Sequence, residues 1–401
     1  MYKTDFRTVS FPYRLYSGKH ALDKLPDEVT RLKAKRAFIL SGRTVARKTP
    51  LVAHMRELLG ASCAGFFDEM DKDTSRSSTM RAVEAARAAQ ADILIGVGAG
   101  SVIQGTRIVA ILLAEKKPIE ELITKYPENG PAVSARLMER KLPIINVLTA
   151  PTSAQNRGGS RMKDDATARA MEFFDPKTRP AALFWDEDAL LTAPASLVRA
   201  TAAGVYCRTA IGLGGTGINP LVEGDRLQAY RLCAQALPQL AAAPNDIAPR
   251  YALCAATLLQ NREADDGGGL IDRLWVARVA YALSTALIAH APHVSQGEAY
   301  SAFMGTVTRK LGSRDPDAMV RIAQALDGAG AGTADAPQRV ADRLDAAFRS
   351  IDMPTRLSEL KVDRAVFARL IEHSLKNFNA DPKREFSREP EMLMQVLEAA
   401  W

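Results

Sequence analysis

The run Asp92-Ile-Leu-Ile-Gly-Val97, followed by Gly98-Ala99-Gly100-Ser101, decides how the chain is built. Its first half is a continuous apolar run of strand length, as expected of a strand buried on both faces. The second half is a glycine-rich turn, and Ser101 to Glu115 behind it carries a helical pattern. Ser101 is read as the N-cap of that helix, because its hydroxyl can accept from a first-turn N–H. Glycines let the backbone approach an anion, and a helix N-terminus offers unpaired N–H groups at the positive end of its dipole. The segment therefore reads as a diphosphate cradle, although a bare strand-to-helix turn uses the same glycines.

The same alternation extends outward. Ala37-Phe38-Ile39-Leu40 reads as a buried strand ending at Ser41-Gly42, with a helix from about 50 to 59. Ala64 to Phe67 is a candidate strand, Met80 to Gln90 a helix, and Pro143 to Leu148 a further strand. Strand, turn, helix, strand predicts a parallel, doubly wound sheet. A polar, Gly-rich segment follows from Gln155 to Thr167. The runs 169–174 and 181–185 flank Asp175-Pro176, which predicts a hairpin turning there. Beyond Pro194 the pattern is helical: 195–211, 222–240, 247–260, 270–290, 298–311, 316–326, 335–349, 363–377 and 389–400. The expected division is an α/β domain over 1–160, a hairpin and linker over 161–190, and a helical domain over 191–401.

The 53 basic and 46 acidic side chains leave a net charge of +7. This excess is spread along the chain rather than massed in a Lys/Arg block. It points to a small anionic partner, and not to nucleic acid or a membrane surface. The four Cys (Cys63, Cys207, Cys233 and Cys254) include no C-x-x-C pair, which excludes zinc-ribbon and dithiol-redox readings. Scattered thiols and a first segment without an apolar core predict a cytoplasmic protein. No run of about 18 apolar residues is present to span a bilayer.

Several segments carry a resemblance. Gly96 to Arg107 looks like the GGGSxxDxAK loop of the iron-containing (group III) alcohol dehydrogenases, and Pro151-Thr152-Ser153-Ala154 like their PTTAGTGSE segment. Phe11 to Gly18, Trp185-Asp186 to Gly204, Asn219-Pro220 and Met353-Pro354-Thr355-Arg356-Leu357 are similar too, in the family's order. The chain most resembles the maleylacetate reductase branch. That resemblance implies an α/β dinucleotide-binding domain, Rossmann-like and dehydroquinate-synthase-like, followed by an all-α domain. It also implies a nicotinamide cofactor, a site in an interdomain cleft, and a homodimer formed through N-terminal strands.

The family's metal is held by one Asp and three His, and here the resemblance fails. The Asp falls on Tyr206 and the His positions on Ala210, Tyr281 and Gln296. None suits a borderline divalent ion, so no metal is expected. His290 and His293 lie near the fourth position, whereas His20, His54 and His373 fall in surface-like segments.

On the cofactor side, Gly98, Ala99, Gly100, Ser101, Thr149, Thr152 and Ser153 are expected around the diphosphate and ribose. Gln104 replaces the family Asp and can still bond a carboxamide. After the first strand, Ser41-Gly42-Arg43 offers no carboxylate to an adenosine 2′-OH. Arg43 could pair with a 2′-phosphate, which puts NADP ahead of NAD, though it also reads as a solvated loop residue. Arg157, Arg161, Arg208 and His290 are candidates for a small anionic substrate, in keeping with relatives that act on dicarboxylates.

Three functions are consistent with these residues. The first is a metal-independent NAD(P)-dependent oxidoreductase. In it Tyr206 or Tyr281 donates the proton, Arg208 lowers the phenol pKa, Gln296 and His293 stand nearby, and Arg157 anchors the substrate. The second is a non-redox lyase, dehydratase, isomerase or hydrolase using the same tyrosines with Glu298 or His293. The third is a binding or regulatory protein that has lost catalysis.

Overall fold

The structure, a computed structural model, describes residues 5–127, 132–167, 169–216, 219–265, 274–327, 333 and 335–401. Two compact units make up the chain. One is Ser10–Pro194; the other is Ala195–Trp401 together with the first residues to Val9.

The α/β unit runs β1 (Arg14–Gly18), α1 (Leu25–Arg31), β2 (Ala37–Ser41), α2 (Arg43–Lys48), α3 (Leu51–Leu59), β3 (Cys63–Phe67), α4 (Arg76–Ala88), β4 (Ile93–Gly98) and α5 (Gly100–Ala114). It continues with α6 (Ile119–Leu122), β5 (Ile144–Leu148), β6 (Gly159–Lys163), β7 (Ala170–Phe174), β8 (Ala182–Asp186) and α7 (Glu187–Leu191). Six strands form a parallel sheet in the order β1-β8-β5-β4-β2-β3.

Both faces of this sheet are covered, which is why its central strands are apolar throughout. Ile39, Ile93, Ile95, Ile145 and Val147 pack on one face with α1 and α3. Phe38, Leu40, Leu94 and Ile144 point the other way, onto α4 and α5. Each such side chain contributes roughly 1.5–3 kcal/mol when fully buried.

The expected hairpin is corrected. β7 pairs antiparallel with β6, not with the run at 181–185. That run is β8, which inserts between β1 and β5. The turn signal itself is real: the Asp175 side chain accepts from Lys177 N–H and caps a short 3-10 turn at Pro176–Thr178. Partner choice follows from burial instead. β8 is buried at every position and needs cover on both faces, whereas β6 and β7 alternate and bury Met162, Met171 and Phe173 on one face.

The other unit holds α8 (Ala195–Gly212), α9 (Pro220–Ala242), α10 (Ala248–Asp265), α11 (Trp275–His290), α12 (Gln296–Leu311), α13 (Pro316–Asp327), α14 (Ala336–Ser350), α15 (Phe367–Leu375) and α16 (Pro390–Ala400). These match the helical pattern read from the sequence. The expected helix start over 270–273 and the breaks at 266–269 and 328–332 lie outside the described residues. Asn219 caps α9 by accepting from Leu221 and Val222 N–H, with Pro220 at the first helical position. α12 crosses α8 at Gly297, where a Cβ would overlap the Ala200 carbonyl. No helix among the described residues is long and apolar enough to cross a membrane.

Candidate functional site

In the parallel sheet the chain order reverses between the neighbours β2 and β4, so the loops leaving their carboxyl ends diverge and open a crevice. Ser41, Gly42 and Arg43 line one side, and Gly98 to Ser101 the other. Helix α5 has Ala99 at its N-cap, not Ser101, and no side chain caps it. The Ser101 hydroxyl is spent elsewhere: it accepts from Asp73 N–H at 3.0 Å, while Thr74 Oγ1 donates to the Ser101 carbonyl at 2.9 Å. An uncapped first turn keeps its N–H donors for a ligand. Two glycines are dictated by packing as well as by approach. A Cβ at Gly98 would lie 2.8 Å from Val102, and one at Gly100 would lie 3.3 Å from Thr152 Oγ1. The Thr152 hydroxyl thus faces the glycine turn. Thr149 is buried beside it, its N–H bonded to the Gly98 carbonyl at 3.2 Å.

Three buried polar groups hold the loop that carries Thr152, Ser153 and Arg157. Asn146 on β5 donates from Nδ2 to the Gln155 carbonyl at 2.8 Å. Trp185 Nε1 donates to Gln155 Oε1 at 3.0 Å. Arg107, fully buried on α5, donates to Ser160 Oγ at 2.7 Å and to the carbonyls of Ala154 and Gly159. Burial, with the nearby Arg179, pulls the Arg107 guanidinium down to about 9, so it stays a cation near neutrality. Gln104 and Arg161 meet here too: Gln104 Oε1 accepts from Arg161 N–H at 3.0 Å, which leaves its amide NH2 as the group able to serve a ligand. Arg157 and Arg161 are half-buried. The sequence reading did not single out Arg107 or Asn146. A charged residue in front of the apolar run Ile108 to Leu112, on a helix buried on nearly every face, was the available signal.

Arg43 differs from expectation. Its guanidinium pairs with Asp71 at 3.0 Å and Glu69 at 3.4 Å. The Asp71 hydrogen bond and both carboxylates raise its pKa. The loop after β3 thus supplies the acidic groups that Ser41-Gly42-Arg43 lacks. Arg43 is not standing ready for a phosphate.

In the helical unit the candidate residues separate. Tyr206 is only 5% exposed, with its ring at 6.2 Å from that of Tyr230 and 6.1 Å from that of Phe348. Burial, with Tyr230 and Cys233 nearby, pushes its phenol well above the usual range, the opposing charge of Arg343 being too weak to offset this, and Arg208 is not among the groups that act on it. The expected Arg208-activated Tyr206 is therefore corrected. Tyr281 is half-buried, and its hydroxyl accepts from Asn379 Nδ2 at 3.2 Å. The two phenols thus face different neighbours.

Beyond the open first turn of α8, Arg208 lies with Thr201 and Gly204 on a half-open stripe while the other residues from Ala200 to Gly212 are buried. Gln296 is exposed at the first position of α12. Glu298, expected as an acid/base partner, is committed to the capping box of that helix, accepting from Ser295 N–H at 2.7 Å. His293 is exposed, with Nε2 at 3.0 Å from the Leu360 carbonyl. His290, also exposed, lies edge-on to His373 at 5.4 Å, and burial together with Arg369 lowers its pKa. Ala210 offers no donor atom. Among the described residues no three His, Cys, Asp or Glu come together as a ligand set.

Comparison with known proteins fits this geometry. The model of the iron-containing alcohol dehydrogenases matches residues 12–187, and that of the C-terminal region of the Fe-containing alcohol dehydrogenase family matches residues 215–401. Maleylacetate reductase 2 of Cupriavidus pinatubonensis is 26% identical over 240 residues, 60% of this chain and 58% of that protein. NADH-dependent butanol dehydrogenase A of Thermotoga maritima shares the fold with a TM-score of 0.85 at 16% identity, over 100% of both chains. Maleylacetate reductase of Agrobacterium tumefaciens does so with a TM-score of 0.74 at 18% identity, over 99% of this chain and 98% of that one. The chain belongs to the iron-containing alcohol dehydrogenase family and lies near its maleylacetate reductase branch.

Proposed function

We propose that the protein is an NAD(P)-dependent oxidoreductase that works without the family's divalent metal on a small anionic carbonyl or activated alkene. One observation carries this reading: the nucleotide side is kept while the metal side is not. The α5 N-terminus is uncapped beside Gly98, Gly100 and Thr152. The four positions that resemble the family's ligands hold Tyr206, Ala210, Tyr281 and Gln296. A buried phenol, a methyl group, a second phenol bonded to an amide and an exposed carboxamide do not fit a divalent ion.

Bound nicotinamide would supply or accept a hydride. The chain's own groups then have defined work. The first-turn N–H groups of α5 hold the diphosphate, with the hydroxyls of Thr149, Thr152 and Ser153 around it. The Gln104 amide donates to the carboxamide. Arg43 is already engaged by Asp71 and Glu69, which weighs toward NAD over NADP. With no Lewis acid, a developing alkoxide or enolate needs a donor. Tyr281 suits this better than Tyr206: its oxygen accepts from Asn379, so its own proton remains to be given. Arg208, on the open stripe of α8, and Arg157 and Arg161 in the α/β unit are matched to carboxylate or sulfonate groups. The substrate named for the maleylacetate reductases combines a carbonyl with such anions.

Titration with NADH and NADPH, followed by nicotinamide fluorescence, tests the reading. Saturable binding lost in Gly100→Val is expected. No binding of either cofactor at about 1 mM would overturn it in favour of a non-redox enzyme reusing these residues.

A further inference from the structure

The helical unit contains a cavity of about 480 Å³ among α12, α14, the 353–357 turn and α16. Arg309, Lys310, Arg349 and Arg356 line it. Two carboxylates share the wall, and both are spent on one guanidinium: Arg309 Nη2 lies 2.8 Å from Asp342 and 2.7 Å from Asp345. Gly305 makes room for this pairing, since a Cβ there would overlap the Asp345 carboxylate.

The remaining cations have no carboxylate within ion-pair distance among the described residues. Arg349 Nη2 donates to the Thr355 hydroxyl at 3.0 Å, which fixes its orientation, and its charge acts on Asp345 only at longer range. Lys310 and Arg356 line the cavity without a carboxylate partner among the described residues. Thr306 is 9% exposed and also lines the space, and no group among the described residues satisfies its hydroxyl. Thr355 and Arg356 belong to the Met353 to Leu357 motif, for which the proposed redox chemistry has no use.

We infer that this cavity binds a small dianionic oxyanion that carries a hydroxyl, a phosphate monoester or a hydroxy-dicarboxylate. Four cations against two carboxylates leave an excess of two positive charges, which sets the ligand's charge. Two guanidiniums, one held by Asp342 and Asp345 and one by Thr355, are oriented in advance for bidentate contact with an oxyanion. Lys310 adds a point charge at the rim. Thr306 can donate to the ligand or accept from its hydroxyl, so that bare inorganic phosphate binds less well than a hydroxylated ester. The inference is independent of the proposed reaction.

Calorimetric titration of the full chain at low salt with glycerol 3-phosphate and, separately, with malate provides the test. One equivalent of at least one of them is expected to bind, and the tighter of the two identifies the class. Arg356→Glu and Lys310→Glu are each expected to weaken binding at least about tenfold, and Thr306→Val less. Lys310 and Arg356 are exposed, whereas Thr306 lines the cavity from a buried position on α12, and unchanged melting and NADH binding in the variants confirm an intact protein. The proposal is overturned if neither compound binds at about 10 mM, or if Arg356→Glu and Lys310→Glu both leave the affinity unchanged, which places the anion elsewhere.

Discussion

Arg107 shows how much one side chain can decide. Its guanidinium lies inside the protein with carbonyls and a hydroxyl as partners, and no carboxylate is among its hydrogen bonds. Arg107→Met strands the Ala154 and Gly159 carbonyls and is expected to destabilise the chain by about 2–4 kcal/mol in urea unfolding. Arg107→Lys keeps the charge but cannot reach three acceptors from one plane, so it recovers only part of that loss. In both variants the KM for the proposed nicotinamide cofactor is expected to rise more than kcat falls, because the loop bearing Thr152 and Ser153, proposed to hold it, is released. The tyrosines give a second contrast at this scale. Tyr281→Phe is expected to lower kcat about 100-fold, since the proposed proton donor is gone. Tyr206→Phe alters a phenol that is packed on Tyr230 and Phe348, and kcat is expected to stay within about threefold of the starting enzyme. Equal losses in the two variants would refute the assignment.

Among the elements, β1 and α1 are joined through Glu28. Its side chain is fully buried and accepts from Tyr16 at 2.8 Å, from Arg31, and from Arg14 at 3.2 Å. Burial alone would raise its pKa, but the hydrogen bonds from Arg31 and Tyr16 prevail and hold it below the ordinary value. A carboxylate lowered in this way stabilises the fold above its unfolded pKa, and that contribution fades as pH falls through the folded value. Glu28→Gln is therefore expected to cost about 2 kcal/mol at pH 7, with the gap between the two proteins' unfolding free energies closing in acid. A gap that persists at pH 3 would mean that shape, not charge, joins the two elements.

Element boundaries in this unit were largely legible, because an all-apolar run such as 37–41 or 93–98 has few alternatives. The pairing of β7 was not. A local turn signal at Asp175 says that the chain bends, but which strand it meets depends on faces that only the assembled sheet provides.

At the scale of the whole molecule, two consequences follow from the family together with the altered donors. Metal analysis of protein purified without chelator is expected to show substoichiometric zinc and iron, and turnover should survive dialysis against a chelator; restored activity on adding a divalent ion would refute metal independence. β1 stands at the sheet edge with Leu15 exposed, and a homodimer through this strand is expected from light scattering, with Leu15→Glu shifting it to monomer. The sequence by itself determined the layout: a parallel α/β sheet, then helices, and a glycine turn before α5. Those properties are written in periodicity and residue type, which act over a few neighbouring positions. Tertiary structure alone decided that Ser101 serves the 73–74 loop rather than its own helix, that Asp71 and Glu69 engage Arg43, that Tyr206 is sealed against Tyr230, and that Arg107 anchors the loop beyond β5. Each of these joins segments that meet only when the chain has packed, and there burial and charge compensation choose partners that no local pattern specifies.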